Sequence, residues 1–146
     1  MSENTTIGII GLGSMSSAIA SGLIKYGGIN PQVITASARN RARLEANCSK
    51  LGIKPGTTEE VVANSELIII GVIPTQVENV LAEVKHLLPG KTVVSIAYGV
   101  SHERYMELLP ADCHVICTVP NTPIEVGKGV LVCSKDHSLT DNQFAL

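Results

Sequence analysis

Short aliphatic runs alternate along this chain with stretches whose apolar residues recur at the spacing of a helix. The runs are rich in valine, isoleucine and leucine and stop at glycine, proline or polar residues, which is typical of buried strands. They occupy residues 6–10, 31–35, 67–72, 92–97, 115–119 and 129–133. Residues 67–72 are apolar throughout, which predicts a central strand covered on both faces of its sheet.

The stretches between these runs show helical periodicity and recognisable ends. They predict helices over residues 14–26, around 44–51, from 57 to 63, over 77–88 and after Ser101. Thr57 and Glu60 have the spacing of a capping box, Gly52 is placed to end the second helix, and Thr140 is a fair cap for a further one. Such alternation predicts an α/β fold: a Rossmann-type, doubly wound, mostly parallel sheet with helices on both faces.

Composition narrows the class of protein. The chain has 146 residues, of which 45% are hydrophobic, 16% charged and 3% aromatic, and its net charge is -2. This length suits one domain, and the apolar content excludes a disordered segment. Because there is no run of lysine or arginine, neither nucleic acid nor an anionic membrane is an expected partner.

Cysteines and histidines give no sign of a metal. The four cysteines lack Cys-x-x-Cys spacing and sit beside aliphatic residues, so we expect buried free thiols in a reducing compartment. No two histidines have the i, i+4 spacing that places two ligands on one helix face, and no metal is predicted.

The N-terminus and the apolar runs predict the location of the protein. The polar start with Glu3 is unlike a signal peptide, and the longest apolar run is too short to cross a bilayer. We therefore expect a cytoplasmic protein.

The chemistry-bearing motif is Gly11-Leu-Gly13-Ser-Met-Ser16, which lies between the first strand and the first helix. Gly11 permits a tight turn, Gly13 lets the backbone approach a pyrophosphate, and Ser16 is small enough for the position that packs helix on strand. Backbone N–H groups at the positive end of the helix would hold the phosphates. The motif predicts dinucleotide binding, although a plain glycine-rich turn would have the same residues.

The end of the second strand predicts which dinucleotide is bound. NAD-specific sites place an acidic residue there to bind the ribose 2′-hydroxyl. This chain has Ser37 and Arg39 instead, with no acid before Glu45. A guanidinium and a hydroxyl suit a 2′-phosphate, so we expect NADP in preference to NAD. Alternatively, Arg39, Arg41 and Arg43 are only the solvated start of a helix.

A stiff polar loop, Thr118-Val-Pro-Asn-Thr-Pro123, follows a later strand. At the carboxyl end of that strand it lies where open α/β sheets bind ligands, and its rigid polar groups suit a carboxamide or a small substrate. A structural turn explains the prolines equally well.

Together these segments resemble the N-terminal half of pyrroline-5-carboxylate reductase over residues 6–133. The matching motifs are Ile7-Gly-Ile-Ile-Gly-Leu-Gly-Ser-Met15, Arg43-Leu-Glu-Ala46 with Leu51-Gly52, Ser95-Ile-Ala-Tyr-Gly-Val100, and Val119-Pro-Asn-Thr-Pro123 with Val126-Gly127 and Gly129. The resemblance implies an NAD(P)H-dependent enzyme of proline biosynthesis that transfers hydride to a cyclic imine carboxylate and yields L-proline.

The resemblance also implies a set of cofactor-binding residues but assigns no catalytic side chain. They are Gly11, Gly13, Ser14 and Met15 at the pyrophosphate, Ser37 and Arg39 at the adenosine phosphate, Val72 and Pro74 beside the cofactor, Ala97 and Gly99 at the nicotinamide ribose, and Asn121 at the nicotinamide end. The chain departs from the family at Ile73, where a lysine is common, at Thr75, where a glutamine is common, and at Tyr98. Loss of the lysine removes a positive charge from the cofactor rim.

The family carries a second, all-helical domain that builds the dimer and closes the substrate pocket. We expect residues 1–133 to form the NAD(P)-binding domain and residues 134–146 to be the lead-in to that helical domain, which is missing. This chain alone is then expected to bind NADPH with little turnover, and its uncovered apolar faces make a homodimer possible.

Two other classes stay open. One is the cofactor domain of another NADP-dependent dehydrogenase, of the prephenate, 6-phosphogluconate or deazaflavin (F420) type; the segment from Pro120 to Pro123 with Gly127 and Gly129 favours the imine reductase instead. The other is a non-catalytic NADP-binding module, which Ile73 and the missing domain favour and which Arg39 does not exclude.

Overall fold

The computed structural model describes residues 5–145, in which one sheet of seven strands carries helices on both faces. The strands are β1 (Ile7–Ile10), β2 (Ile34–Ser37), β3 (Lys54–Pro55), β4 (Leu67–Ile70), β5 (Thr92–Ser95), β6 (His114–Pro120) and β7 (Leu131–His137). The helices are α1 (Ser14–Lys25), α2 (Arg41–Leu51), α3 (Thr58–Ala63), α4 (Val77–Val84), α5 (His102–Leu108) and α6 (Asp141–Phe144). Short 3-10 turns occupy Pro31–Val33, Pro74–Gln76, Lys85–Leu87 and Thr122–Val126.

The strand order β3-β2-β1-β4-β5-β6-β7 reverses direction across the sheet at β1. The strands from β1 to β6 are parallel to their neighbours, and β7 alone runs antiparallel to β6. Because the chain leaves β1 toward one edge and later returns to place β4 on its other side, the carboxyl ends of β1 and β4 flank the switch point where such sheets bind ligands. The predicted doubly wound, mostly parallel fold is confirmed.

Alternate residues of the central strands build two separate cores. Ile7 and Ile9 face one side of the sheet, where they pack with Ile19 of α1 and Leu44 of α2. Residues of opposite parity, such as Ile10, face α3, α4 and α5 on the other side. The run around residues 67–72 is apolar throughout because both of its faces are covered.

Several predicted helix ends are confirmed by their hydrogen bonds. The Thr57 hydroxyl accepts the N–H of Glu60 at 3.2 Å, and the Glu60 carboxylate accepts the N–H of Thr57 at 2.8 Å, so the capping box is complete. Ser101 caps α5 by accepting the N–H of Arg104, and Thr140 begins α6 with a second capping box. Gly52 ends α2 with a φ of 73°.

The structure corrects other boundaries. The second strand begins at Ile34 rather than at residue 31, because Pro31–Val33 forms a 3-10 turn whose Gln32 N–H is accepted by the Asn30 side chain. Lys54–Pro55 adds a strand that two residues without alternation could not signal. The predicted helix over 77–88 is α4 followed by a 3-10 turn, and the last strand extends to His137, past the predicted residue 133.

The thiols only partly match the expectation of buried cysteines. Cys48 and Cys113 are buried and Cys117 is half-buried, but Cys133 is exposed on β7. Burial, aided by the nearby Asp112 carboxylate, raises the pKa of the Cys113 thiol to about 11.

Among residues 5–145, no helix is both long and apolar enough to span a bilayer. Glu3, which bore on the signal-peptide question, lies outside the described residues.

The raised thiol pKa predicts a loss of stability in alkaline solution. An unfolded cysteine ionises near 9.0 and folded Cys113 near 11, so the neutral thiol stabilises the fold fully below about pH 9, and this contribution disappears as the pH rises through about 11. Urea unfolding at about pH 8 and about pH 10.5 should show the free energy of unfolding falling with pH. Cys113→Ala should weaken this slope, whereas Cys133→Ala, at an exposed thiol, should keep it. Equal slopes in Cys113→Ala and the native chain would contradict the assignment.

Candidate functional site

A cleft of about 720 Å³ lies at the carboxyl edge of the sheet, around the ends of β1, β2 and β4. Its lining includes Gly11, Gly13, Ser14, Ser37, Arg39 and Val72 from the predicted set. Among the described residues, no aspartate or glutamate lines it. The cleft can therefore receive an anion without a facing carboxylate.

The glycine turn brings two backbones into close contact at the floor of the cleft. Gly11 has a φ of 90°, and a Cβ there would lie 2.8 Å from the carbonyl carbon of Gly71. The N–H groups of Gly11 and Leu12 both donate to the Ser37 carbonyl, at 2.9 and 3.0 Å. A side chain at position 11 would thus be strained and would also push β1 away from the segment after β4.

The first turn of α1 presents free amides to the cleft. Gly13 occupies the N-cap position and has no side chain with which to accept a hydrogen bond. The first intrahelical bond is donated by Ser17 to the Gly13 carbonyl at 2.9 Å, so the N–H groups of Ser14, Met15 and Ser16 have no partner within the helix. Together with the helix dipole, these amides make a binding site for an anion such as phosphate.

Ser16 lies where α1 meets the sheet. It is buried, and its hydroxyl has no hydrogen-bond partner among the described residues. A Cβ on Gly71 would collide with that hydroxyl and would approach the Gly11 carbonyl oxygen to 2.8 Å. The third position of the motif therefore requires a small residue, as the sequence predicts.

The three arginines after β2 have different environments. Arg41 pairs with Glu45 at 2.7 Å along the exposed side of α2. Arg39 and Arg43 line the cleft and form no ion pair within residues 5–145. Arg41 therefore fits the alternative in which these arginines are only the solvated start of a helix. That alternative does not explain why Arg39 and Arg43 line the cleft.

Polar groups that sequence reasoning missed complete this end of the cleft. Thr58, the first residue of α3, donates to the Ser37 hydroxyl at 3.3 Å, and Asn40 caps α2 by accepting the N–H of Arg43 at 3.0 Å. Both residues line the cleft with Arg43. The capping positions of Asn40 and Thr58 are readable from the sequence, but their meeting at one cleft depends on the strand order β3-β2-β1.

The predicted residues toward the other end of the cleft are not all brought together. Pro74 and Gly99 line a separate cavity of about 290 Å³ beside Ser101 and Arg104. Ala97 is buried in the core, and half-buried Met15 packs against the core on the α1 side of the sheet. Ile73, at the family's lysine position, lines the main cleft and is largely exposed.

A buried hydrogen-bond network fixes the end of β5 ahead of Ala97. The Ser95 and Tyr105 hydroxyls lie 2.6 Å apart, and Ser95 Oγ also accepts the N–H of Ala97 at 3.2 Å. Thr118 donates to the Ser95 carbonyl at 2.9 Å. Burial raises the pKa of Tyr105 to about 12, against the smaller opposing effect of the bond to Ser95, so the phenol stays neutral. Nothing in the sequence pattern signals that Tyr105 and Ser95 are partners.

Asn121 has a structural bond in the proline-flanked loop. Its side-chain oxygen accepts the N–H of Val130 at 2.8 Å, which closes the loop ahead of β7. In the described part of the chain, Asn121 does not line the cleft around Gly11. The sequence left open that this loop is only a structural turn. The bond to Val130 explains why such a turn would contain an asparagine.

Within residues 5–145, His, Cys, Asp and Glu side chains form no group of three or more that could hold a metal ion.

The fold and the glycine-lined cleft define a dinucleotide-binding domain of the Rossmann class. Residues 6–99 match the sequence model of a family described as NADP oxidoreductase, coenzyme F420-dependent, and the chain belongs to this family.

Several proteins that are similar over almost the whole chain are pyrroline-5-carboxylate reductases. The enzyme of Treponema pallidum is 33% identical over 144 residues, which cover 95% of this chain and 54% of that protein. The structure of the Coxiella burnetii enzyme has a TM-score of 0.86 at 26% identity, covering 97% of this chain and 53% of that one. A Plasmodium falciparum pyrroline carboxylate reductase, solved with NADP bound, has the same fold, with a TM-score of 0.86 at 23% identity and coverage of 98% and 52%. The chain spans about half the length of these relatives, and the resemblance to the N-terminal half of the reductases is confirmed.

Proposed function

We propose that this chain is the cofactor-binding domain of an NADPH-dependent imine reductase of the pyrroline-5-carboxylate reductase type. The observation that carries the proposal is one cleft that combines free helix amides, two unpaired arginines and no carboxylate among the residues described. NADPH, when bound, supplies the hydride that reduces the C=N bond of 1-pyrroline-5-carboxylate, and a proton on the nitrogen completes L-proline. The name of the Treponema pallidum relative supports this substrate.

The glycine turn fits the diphosphate of such a cofactor. The absence of a Cβ at Gly11 and Gly13 leaves the backbone accessible, and the amides of Ser14 and Met15 would donate to phosphate oxygens. Their positions are set before any ligand arrives, because the turn is held by its bonds to the Ser37 carbonyl. Binding then requires little ordering of the protein.

The arginine end of the cleft favours NADP over NAD. Ser37 and Arg39 would hold the 2′-phosphate, and Arg43 and Thr58 line the same end. A guanidinium forms charge-assisted hydrogen bonds to phosphate, and no acidic side chain in the described cleft would repel it. The Plasmodium falciparum relative, which was solved with NADP bound, supports this choice.

At the reactive end we assign positions but no catalytic side chain. Val72 and Pro74 would flank the cofactor, Ala97 and Gly99 would lie near the nicotinamide ribose, and Asn121 near the nicotinamide. The Ser95–Tyr105 bond would keep Ala97 in place while the cofactor binds. Residues 1–133, together with the rest of β7 to His137, would form the cofactor domain. The residues after β7 would be the lead-in to a helical domain, in a cytoplasmic, homodimeric protein.

A second candidate is the activity that the family description names, a coenzyme F420-dependent oxidoreduction of NADP. The matched residues 6–99 contain the glycine turn and both cleft arginines but stop before the loop from Pro120 to Pro123. The two candidates therefore share the NADP site and differ in the second substrate.

Gly13→Ala should separate cofactor binding from folding. The φ at Gly13 is ordinary for an alanine, and a Cβ there meets no described atom within 4 Å, so stability should be kept. The same methyl group would occupy the space of the diphosphate and weaken NADPH binding about tenfold or more, a loss of about 1.4 kcal/mol or more. Calorimetric titration with NADPH, alongside a thermal melt, checks both points. Native affinity in the variant, or no heat from either coenzyme in the native chain, would overturn the proposed site.

Arg39→Ala should weaken NADPH binding about tenfold and leave NADH binding within about a factor of two, because only NADPH carries the 2′-phosphate. Arg41→Ala is the matched control: Arg41 has the same charge but pairs with Glu45, so neither affinity should change. Fluorescence titration of each variant with NADPH and with NADH gives four affinities, which are compared with those of the native chain. An equal loss of both affinities in Arg39→Ala would contradict the 2′-phosphate contact.

The purified chain should oxidise little or no NADPH in the presence of pyrroline-5-carboxylate, although it binds the coenzyme. The reason is that the relatives are about twice as long, and in the resembled family the substrate pocket is closed by the other domain. The measurement is the loss of the near-ultraviolet absorbance of the reduced nicotinamide over time. Robust turnover by this chain alone would refute the expectation, and NADPH-dependent reduction of F420 would favour the second candidate.

A further inference from the structure

A buried serine at the end of β5 joins three segments of the chain. The hydroxyl of Ser95 lies 2.6 Å from the hydroxyl of Tyr105 in α5, and it accepts the N–H of Ala97 at 3.2 Å. The Ser95 carbonyl accepts the hydroxyl of Thr118, near the end of β6, at 2.9 Å. Because all three of these polar side chains are buried, the bonds between them belong to the interior of the domain.

The turn between β5 and α5 is held at its two ends. Among the described residues, no atom lies within 4 Å of the place of a Cβ on Gly99, in the middle of the turn, where φ is 98°. At one end Ala97 donates to Ser95, and at the other end Ser101 caps α5. Since Tyr105 belongs to α5 and bonds to Ser95, it links the two ends of the turn to each other.

This turn lies beside the proposed cofactor site. Gly99 shares a cavity of about 290 Å³ with Pro74, and the neighbouring Ile73 lines the main cleft. The N–H of Ile96 donates to the carbonyl of Ile70 at 3.0 Å, so the turn leaves the sheet next to the end of β4. A dinucleotide bound across the switch point with its adenosine at the arginines after β2 extends its nicotinamide half toward β4 and β5.

The two hydroxyls are costly if they serve only to fill the core. Each buried hydroxyl loses its bonds to water, and apolar side chains of the same shape would fill the space without that loss. Tyr105 belongs to a core that includes the apolar residues Leu81, Val84 and Leu109. A fully bonded polar group inside such a core fixes one arrangement of the segments that it joins, and here it fixes the turn that begins at Ala97.

We propose that Tyr105 is a positioning residue for the nicotinamide half of the coenzyme and acts through Ser95 on the turn that begins at Ala97. The inference rests on the proposed function and adds to it a residue that contacts neither coenzyme nor substrate. The hydroxyl pair holds the turn in place before binding, so the coenzyme has less conformational freedom to remove. The adenosine half binds on the other side of the switch point, and its affinity should not depend on Tyr105.

Tyr105→Phe tests this role because it removes only the hydroxyl and keeps the ring in the core. The affinity for NADPH should fall about fivefold, as expected for the loss of one buried hydrogen bond. The affinity for 2′-phospho-ADP-ribose, which is the coenzyme without its nicotinamide, should stay within about a factor of two. Calorimetric titration of the native chain and the variant with both ligands gives the comparison.

Substitution of Ser95 shows whether Tyr105 acts through it. Ser95→Ala should weaken NADPH binding at least as much as Tyr105→Phe, because Ala97 then loses its bond as well. The double variant Ser95→Ala/Tyr105→Phe should have the affinity of Ser95→Ala, since the two residues act on the same turn. If the two losses multiply in the double variant, Tyr105 acts independently of Ser95 and the proposal is wrong.

Hydrogen exchange of single amides provides a readout that needs no ligand. In Tyr105→Phe the exchange rate of the Ala97 N–H should rise about fivefold or more relative to that of Val93, which lies in the middle of β5. Cys113→Ala, in the same core, is the matched control for a general loss of stability. It should lower the melting temperature but change neither coenzyme affinity nor the ratio of these two exchange rates.

Equal affinities of the native chain for NADPH and 2′-phospho-ADP-ribose would overturn the proposal. An unchanged NADPH affinity in Tyr105→Phe, or an equal loss of affinity for both ligands, would also overturn it. Failure of the cofactor site itself has a different signature, because the native chain would then bind neither ligand and both proposals would fall.

Discussion

The contact between the backbones at Gly11 and Gly71 positions the rest of the cleft. It lets the end of β1 lie against the segment after β4, so that α1 begins with its free amides directed at the switch point of the sheet. The same turn bonds to the Ser37 carbonyl and thereby ties the pyrophosphate end to the arginine end. A side chain at either glycine would separate these parts, since protein interiors have no space to absorb one.

The fold was largely predictable because the hydrophobic residues recur at clear strand and helix spacings. A run such as residues 67–72, apolar on both faces, has few alternatives to a central parallel strand, and the capping boxes at Thr57 and Thr140 mark their helices directly. What escaped prediction were elements formed by few or mixed residues. Lys54–Pro55 joins the sheet only because β2 lies beside it, and β7 continues through Lys135 and Asp136, which read as a polar tail.

The candidate site likewise has residues that the sequence predicts and residues that it does not. The glycine turn, Ser37 and Arg39 could be found because a local motif places them at the ends of strands. Thr58 could not, since it reaches the cleft through the strand order rather than through spacing. Pro74 and Gly99 lie in a neighbouring cavity, and Asn121 is engaged by the Val130 amide, so the nicotinamide end is the part that sequence alone describes least.

The β3 edge of the sheet is poorly suited to adding another strand. β3 has only two residues, and one of them is Pro55, which has no N–H to donate to a neighbouring strand. A strand from another molecule would therefore find few backbone groups to pair with along this side of the sheet. Pro55 thus protects one side of a wide, mostly parallel sheet from edge-to-edge association.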